Sequence, residues 1–523
     1  MKWINEAINF INDNILWGIP MIVAILGTGI FISIRTHFLQ VRKFGTAMSS
    51  TFVPMIKSIG KKPTGKSNAK TISQFEAFSA AISGTVGTGN MVGVATALIA
   101  GGPGAVFWMW VSAFFGLVTN YSENVLGLYY RKKDKKGEMC GGPMYYISNG
   151  LKLKWLALIF AACCTLAAVG MGMVQANSIS GTLQNAITGD ASLTTAIITG
   201  VVIAGLTALI IVGGIKRIGK VSSYIVPFMA LLFIIMSVII LCINITALPK
   251  AFALIFTNAF SFRSVTGGFL GYVIMKGMRF GFARGIFSNE AGLGSSVIAH
   301  SASETREPVK QGLWGILEVF IDTFIVCTLT ALSLLIISIK TGVYDFTDIT
   351  QNTANGLTGS AIAPFAFTQT FGRVGQVIFV IILPLFAFTT ILAWAYYGEK
   401  AVQYLFGKNG DVAALVCKIL YVALLFVGTM VKSDFVWALD DMFNAMMALP
   451  NLIALIFLSK QIVEVSKNYF DRKKGLSVKP MLSAYEDVNA ELIRQAEAEE
   501  QSEAEGEAVS ETAAETANGE DAD

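Results

Sequence analysis

The amino-acid sequence predicts an all-α polytopic membrane protein with eleven transmembrane helices: one leading helix, then five-plus-five inverted repeats that contain two broken helices. Three observations predict it. Of 523 residues, 54% are hydrophobic and only 14% are charged, with a mean hydropathy of +0.61; a soluble chain of this length needs far more charge on its surface. Apolar runs of spanning length alternate with loops whose basic residues gather on one side. Two of those runs, five apart, are interrupted by Gly-rich polar segments.

The runs lie near residues 15–34, 75–100, 104–129, 155–177, 193–213, 222–246, 266–302, 312–338, 374–398, 412–430 and 436–458. The first has Glu6 and Asp13 ahead of it and no A-x-A cleavage site, so it reads as a retained span rather than a signal peptide. Between the first two runs, "FLQVRKFGTAMSSTFVPMI" predicts an amphipathic interfacial helix. The "GKKPTGKS" that follows, residues 60–67, satisfies the phosphate-loop pattern G-x-x-x-x-G-K-[ST]. That mechanism needs a strand before the loop and an α/β domain around it. Residues 35–72 leave no room for one, so the segment reads as basic and membrane-facing, with neither nucleotide nor nucleic acid as a partner. Thirty of the 39 Lys and Arg residues fall in alternate loops, which predicts an external amino terminus and a cytoplasmic carboxyl terminus. Residues 481–523 carry fourteen acids against Arg494 alone and few aromatics, the composition of a solvated, disordered tail.

The second run is broken by "SGTVGTGN" and the seventh by "ARGIFSNEAGLGSS". Five is odd, so the two broken spans cross in opposite directions, as inverted repeats require. The expected divisions are 1–72 for the leading helix and basic loop, 73–247 and 248–460 for the repeats, and 461–523 for the acidic tail.

Unwinding a helix inside a membrane exposes backbone groups, which is tolerated only around a cavity or ligand. The half-helix ending near Ser83 presents carbonyls suited to Na+ or an ammonium, and the one starting near Gly89 and Asn90 presents amides suited to a carboxylate. Gly84, Gly87 and Gly89 permit the turn and close ligand approach. An amino acid with sodium is the economical ligand. Close helix packing through small residues would explain the glycines but not Thr85, Thr88 and Asn90 between them.

The turn and span after the break read "GGPGAVFWMW", residues 101–110, in which Trp108 and Trp110 suit an interfacial aromatic belt. This stretch meets the signature G-G-x-[GA]-[GA]-[LIVM]-F-W-M-W, and the sequence resembles the alanine/glycine:cation symporter (sodium:alanine symporter) family across about residues 15–460. "GTVGTGN" and "SNEAGLGSS" look like that family too. The resemblance implies a leucine-transporter-type fold and coupling to Na+ or H+. It implies that the carbonyls of Ser83 and Val86, the hydroxyls of Thr389 and Thr390 and the carbonyl of Phe386 face a sodium ion. Thr85, Gly87, Gly89 and Asn90 would line the substrate, the break at Phe287, Ser288 and Asn289 would close over it with Phe287 as an apolar lid, and Trp394 would limit its size. Thr390 and Trp394 are i, i+4 and share a face; the two threonines equally suit back-bonding to their own helix carbonyls.

Ionisable residues within spans are functional hypotheses by default. Glu318 and Asp322 on the eighth run, with Lys276, Arg279 and Arg284 on the seventh, suggest neutralising pairs between adjacent helices, and Glu290 sits in the unwound segment itself. Gln175 and Asn177 suit either an external vestibule or a helix end. His37 and His300 fall near cytoplasmic ends, so no buried proton-relay histidine is expected, which favours sodium. Six cysteines without CxxC spacing predict neither disulfides nor a metal centre. The expected function is a plasma-membrane carrier, not an enzyme, with no organic cofactor. It would import a small neutral amino acid, alanine or glycine, with Na+ by alternating access; glutamine transport and H+ coupling are the alternatives.

Overall fold

A computed structural model describes residues 8, 10–58, 71–187, 192–260, 269–355 and 357–498. Helices stand at each place where the apolar runs predicted one. They are α1 (Ile19–Arg35), α2 (Phe44–Ser58), the pair α3 (Gln74–Thr85) and α4 (Val92–Gly101), α5 (Gly104–Tyr129), α6 (Lys154–Ile187), α7 (Leu193–Ile211) and α8 (Gly214–Ile243). After α9 (Leu248–Phe260), which the sequence reading left in a loop, come α10 (Phe269–Asn289), the short α11 (Val297–His300), α12 (Pro308–Val319) and α13 (Thr328–Thr341). The chain continues through α14 (Phe365–Phe406), α15 (Gly410–Gly428), α16 (Ser433–Phe457) and α17 (Ser459–Arg472). Among the described residues, six helical segments are long and apolar enough to cross a membrane, and α3 with α4, bent by 55°, makes a seventh.

Local chemistry sets the ends of these elements. Ser73 caps α3 with a full capping box: its hydroxyl accepts from the Glu76 amide, and the Glu76 carboxylate accepts from the Ser73 amide. α14 is kinked at Gly372, whose φ of +59° only glycine adopts freely, so its straight part begins where the predicted span did. α12 and α13 are joined by a π-helical stretch, Phe320–Cys327, which carries Asp322 and Thr323. π-helical turns inside α-helices concentrate at functional sites.

α14 and α16 both pack along α6, while α10 and α12 pack along α5. The two halves of the first broken helix reach into both groups: α3 packs against α8, α11 and α14, and α4 against α10. The GGPGAVFWMW stretch is a packing device rather than an aromatic belt alone. A Cβ at Gly104 would lie 2.7 Å from the Asn258 carbonyl carbon, Trp110 donates to Thr328 Oγ1 at 2.8 Å, and Trp108 meets Phe260 and Phe282.

The tail needs correction as far as residue 498. α17 buries Ile462, Val465 and Tyr469, Arg472 forms a bidentate pair with Glu307 at 2.7 and 2.8 Å, the Ala484 amide donates to the Tyr129 carbonyl, and residues 486–498 are helical. The acid-rich composition hid a few apolar anchors sufficient to dock this segment. Residues 499–523 and the phosphate-loop lookalike at 60–67 lie outside the described residues.

Candidate functional site

In the first break, the amides of Gly87 and Thr88 do not return to the carbonyls four residues back. Gly87 N–H donates instead to Asn90 Oδ1 at 2.9 Å, and Thr88 N–H to Gln175 Oε1 at 3.3 Å. The carbonyls of Ser83 and Gly84 are thereby released from the helical ladder at a fully buried position, where free carbonyls favour a cation. The hydroxyl of Ser83 itself donates to Ala80 O and accepts from Ser222, and Thr85 donates to Ile82 O.

The second break starts at Glu290, which holds φ +54°, a left-handed conformation that is costly for a residue with a side chain; Gly292 and Gly294 continue it at +96° and +76°. Side chains hold the distortion in place. Glu290 accepts from Ser295 and from Trp394 Nε1 at 3.0 Å. Asn289 donates to Thr323 Oγ1 at 3.1 Å and accepts from the Ala291 amide at 3.1 Å. Glu123 Oε1 accepts from the Gly292 amide at 3.0 Å and from Asn451 at 2.6 Å.

The breaks meet. A Cβ on Gly89 would lie 3.2 Å from the Phe287 ring and 3.6 Å from Ser288 Cα. A Cβ on Gly87 would lie 2.5 Å from Thr390 Oγ1, which places α14 directly against the first break. Asp322, from the π-helical turn, binds both: it accepts from Asn90 Nδ2 at 2.6 Å and from Ser288 Oγ at 2.9 and 3.1 Å, with Thr323 Oγ1 donating at 2.8 Å. Above this point Arg284 pairs with Asp441 at 3.0 and 3.1 Å and lies 5.4 Å over the rings of both Phe287 and Trp437, which are 5.2 Å apart. These groups make a polar floor and an aromatic, ion-paired roof.

The structure therefore brings Thr85, Gly87, Gly89, Asn90, Phe287, Ser288, Thr390 and Trp394 to one buried region. Thr389 and Thr390 also do what the alternative reading foresaw: both donate to the Phe386 carbonyl at 3.0 Å. Their oxygen lone pairs remain available to a cation, whereas that carbonyl already accepts two hydroxyls. Val86 closes α3 with its amide on Ile82 O.

Three sequence expectations differ from what is found. Glu318 and Asp322 do not neutralise the cations of α10: Glu318 pairs with His300 Nε2 at 2.9 Å, Asp322 is held by neutral donors, and Arg284 takes Asp441 instead. His300 is fully buried, with its other nitrogen 2.7 Å from Gln311; spacing from the end of an apolar run located it too near the surface because the break shortens the helix. Gln175 is a buried partner of the first break, whereas Asn177 caps the end of α15 through the carbonyls of Gly428 and Val431. Sequence reasoning missed Asp441 and Trp437, because nothing in a run of α16 says which face meets α10.

A profile of the sodium:alanine symporter family matches residues 1–482. The chain belongs to the sodium:alanine symporter family. It is 40% identical over 475 residues to the sodium/alanine symporter AgcS of Methanococcus maripaludis, covering 90% of this chain and 98% of that protein. It is also 36% identical over 476 residues to the probable sodium/glutamine symporter GlnT of Bacillus subtilis, covering 91% and 93%. Among solved structures it is similar to MhsT in complex with L-phenylalanine, with a TM-score of 0.50 and 14% identity over 76% of this chain and 99% of that one; at that identity the likeness speaks for the fold, of leucine-transporter type. As a member of the sodium:alanine symporter family the protein is a multi-pass membrane transporter, not an enzyme, and Na+ is the coupling ion that the family implies.

Proposed function

We propose that this transporter imports a small neutral amino acid, alanine or glycine, with Na+ by alternating access across eleven spans, the ten after α1 forming two inverted repeats. The amino terminus is external and the carboxyl terminus cytoplasmic. The observation that carries the reading is the meeting of the two breaks, joined by Asp322 and roofed by Phe287. This arrangement offers released carbonyls, amides and one carboxylate within a buried space, complementary to a zwitterion and a monovalent cation. In it the substrate carboxylate faces the amides at Gly89 and Asn90, and its ammonium faces carbonyls of the breaks. Na+ lies between the Ser83 and Val86 carbonyls and the hydroxyls of Thr389 and Thr390. Phe287 and Trp394 bound the side-chain space.

Uptake of radiolabelled L-alanine into proteoliposomes, with and without an inward Na+ gradient, tests this. Na+-driven accumulation competed by glycine is expected. Competition by glutamine alone would move the substrate assignment to glutamine, and accumulation driven only by a proton gradient would replace the ion.

Trp394 is fully buried, with its ring centroid 5.5 Å from that of Tyr397. Trp394→Ala is expected to admit larger side chains, so that competition by leucine or methionine rises about tenfold relative to glycine, the scale of one or two methylene contacts in an apolar pocket. The ratio of competitors is the measurement, because truncation also lowers the amount of folded protein; an unaltered ratio rejects the pocket role.

A further inference from the structure

Five carboxylates are fully or almost fully buried among the described residues: Glu123, Glu290, Glu318, Asp322 and Asp440. Four of them accept at least one hydrogen bond. Asp440, on α16, accepts none at either oxygen, although its exposure is 0%. One helical turn on, Asn444 is equally buried, and neither its amide oxygen nor its nitrogen has a partner. Residues i and i+4 lie on the same face of a helix, so two unpartnered polar groups of α16 stand together.

The charges around Asp440 do not neutralise it. Arg284, Asp441 and Glu290 all act on it electrostatically, but the Arg284 guanidinium is engaged in its bidentate pair with Asp441, and Glu290 adds a further negative group. Across the interface stands Gly170 of α6, where a Cβ would lie 3.1 Å from both Asp440 Oδ1 and Asp440 Cα. The facing helix thus presents bare backbone to the carboxylate. So close an approach excludes an amino acid from between α6 and α16 but not a single ion.

We propose that Asp440 and Asn444, facing the α6 backbone at Gly170, form a Na+ site separate from the Ser83–Thr390 position and from Asp322. The proposal rests on the symport reading and adds a second coupling ion to it. A buried, unpaired carboxylate is strongly unfavourable unless a proton or a metal cation joins it, and in a Na+-coupled carrier the metal cation at hand is Na+. The chemistry here is that of a hard monovalent cation: two carboxylate oxygens with an amide oxygen one helical turn away. Asn444 lies beside Asp440 and its side chain acts on the carboxylate, but no contact between them reaches full hydrogen-bond geometry, so an ion can bridge the two.

The test uses the full chain, purified and reconstituted, with 22Na+ as the probe. Wild-type Na+-driven alanine uptake is measured first; if that is absent, the symport reading fails whatever Asp440 does. Given wild-type uptake, Asp440→Asn is expected to raise the Na+ concentration for half-maximal uptake about tenfold, equivalent to losing one ligand charge. It should also lower the number of 22Na+ ions carried per alanine by one, with the alanine KM at saturating Na+ unchanged. Asn444→Ala should weaken Na+ dependence in the same direction but less, which keeps the proposal testable if Asp440→Asn does not fold. Unchanged Na+ dependence and stoichiometry in both variants would overturn the site. So would a raised alanine KM with Na+ dependence intact, since that outcome assigns Asp440 to the substrate ammonium.

Discussion

Asp322→Asn is expected to abolish Na+-driven uptake, with the initial rate at subsaturating Na+ and alanine falling about 100-fold or more while the purified protein remains folded. The substitution keeps the shape of the side chain and changes what it can do. As a carboxylate, Asp322 accepts from Asn90, Ser288 and Thr323 together, and hydrogen bonds to an ionised acceptor are about twice as strong as neutral ones. An amide in its place has one uncharged acceptor oxygen and turns its NH2 toward other donors. At the Oδ2 position that oxygen leaves Asn90 unpartnered; at the Oδ1 position it loses Thr323 and the shorter Ser288 bond, while the bonds to Asn90 and Ser288 that remain lose their charge assistance. Hydrogen bonds to a charged group are worth about 1.5–3 kcal/mol each and a buried donor left unsatisfied costs about 1–3 kcal/mol, so the combined loss reaches about 3 kcal/mol, a factor of about 100 at about 1.4 kcal/mol per tenfold. The consequence is specific because Asn90 and Ser288 belong to different broken helices: losing the shared anchor unties one break from the other. Uptake by the variant at the wild-type rate and with the wild-type Na+ dependence would remove Asp322 from the mechanism.

How far the sequence shows this site depends on what kind of signal each residue leaves. The breaks are legible because a membrane helix cannot be interrupted by "SGTVGTGN" without a compensating ligand or cavity, and both appear where the polar Gly-rich segments stand. Thr390 and Trp394 are legible as a shared helix face, and Thr390 does reach the first break. Asp322 was visible only as an ionisable residue in a span; its role needs the register of α12 and the π-helical stretch, which shifts side-chain directions relative to an ordinary helix. His300 was assigned to a helix end on spacing alone, but the second break lets α11 turn inward, so that a residue near the end of an apolar run is fully enclosed. The docked stretch before residue 498 was missed for a related reason: net charge dominates the composition of 481–523, while Ala484 and Tyr485 alone make the backbone contacts to Tyr129 and Tyr130.

Gly87→Ala is the second large effect expected, and its cause is steric rather than electrostatic. Gly87 adopts φ −138° and ψ −147°, so the backbone itself asks for no left-handed conformation. What excludes a side chain is the space: the added Cβ would lie 2.5 Å from Thr390 Oγ1 and 3.4 Å from Gln175 Oε1. Thr390 cannot easily give way, because a β-branched side chain in a helix is stiff at χ1 and its hydroxyl is tied to Phe386 O. The first break must then move away from α14, opening the proposed Na+ position between the first break and Thr389 and Thr390, and uptake should fall about 100-fold, as overpacking of roughly 3 kcal/mol predicts. Gly89→Ala meets a ring at 3.2 Å instead, and because that ring can rotate the loss should be smaller. Combining Gly87→Ala with Thr390→Ala separates the clash from a direct need for glycine. Removing Oγ1 relieves the contact, so the double variant should transport better than the product of the two single effects predicts, even though Thr390→Ala also removes a proposed Na+ ligand. Strictly multiplicative losses would show that the two residues act independently and that α14 does not press on the first break.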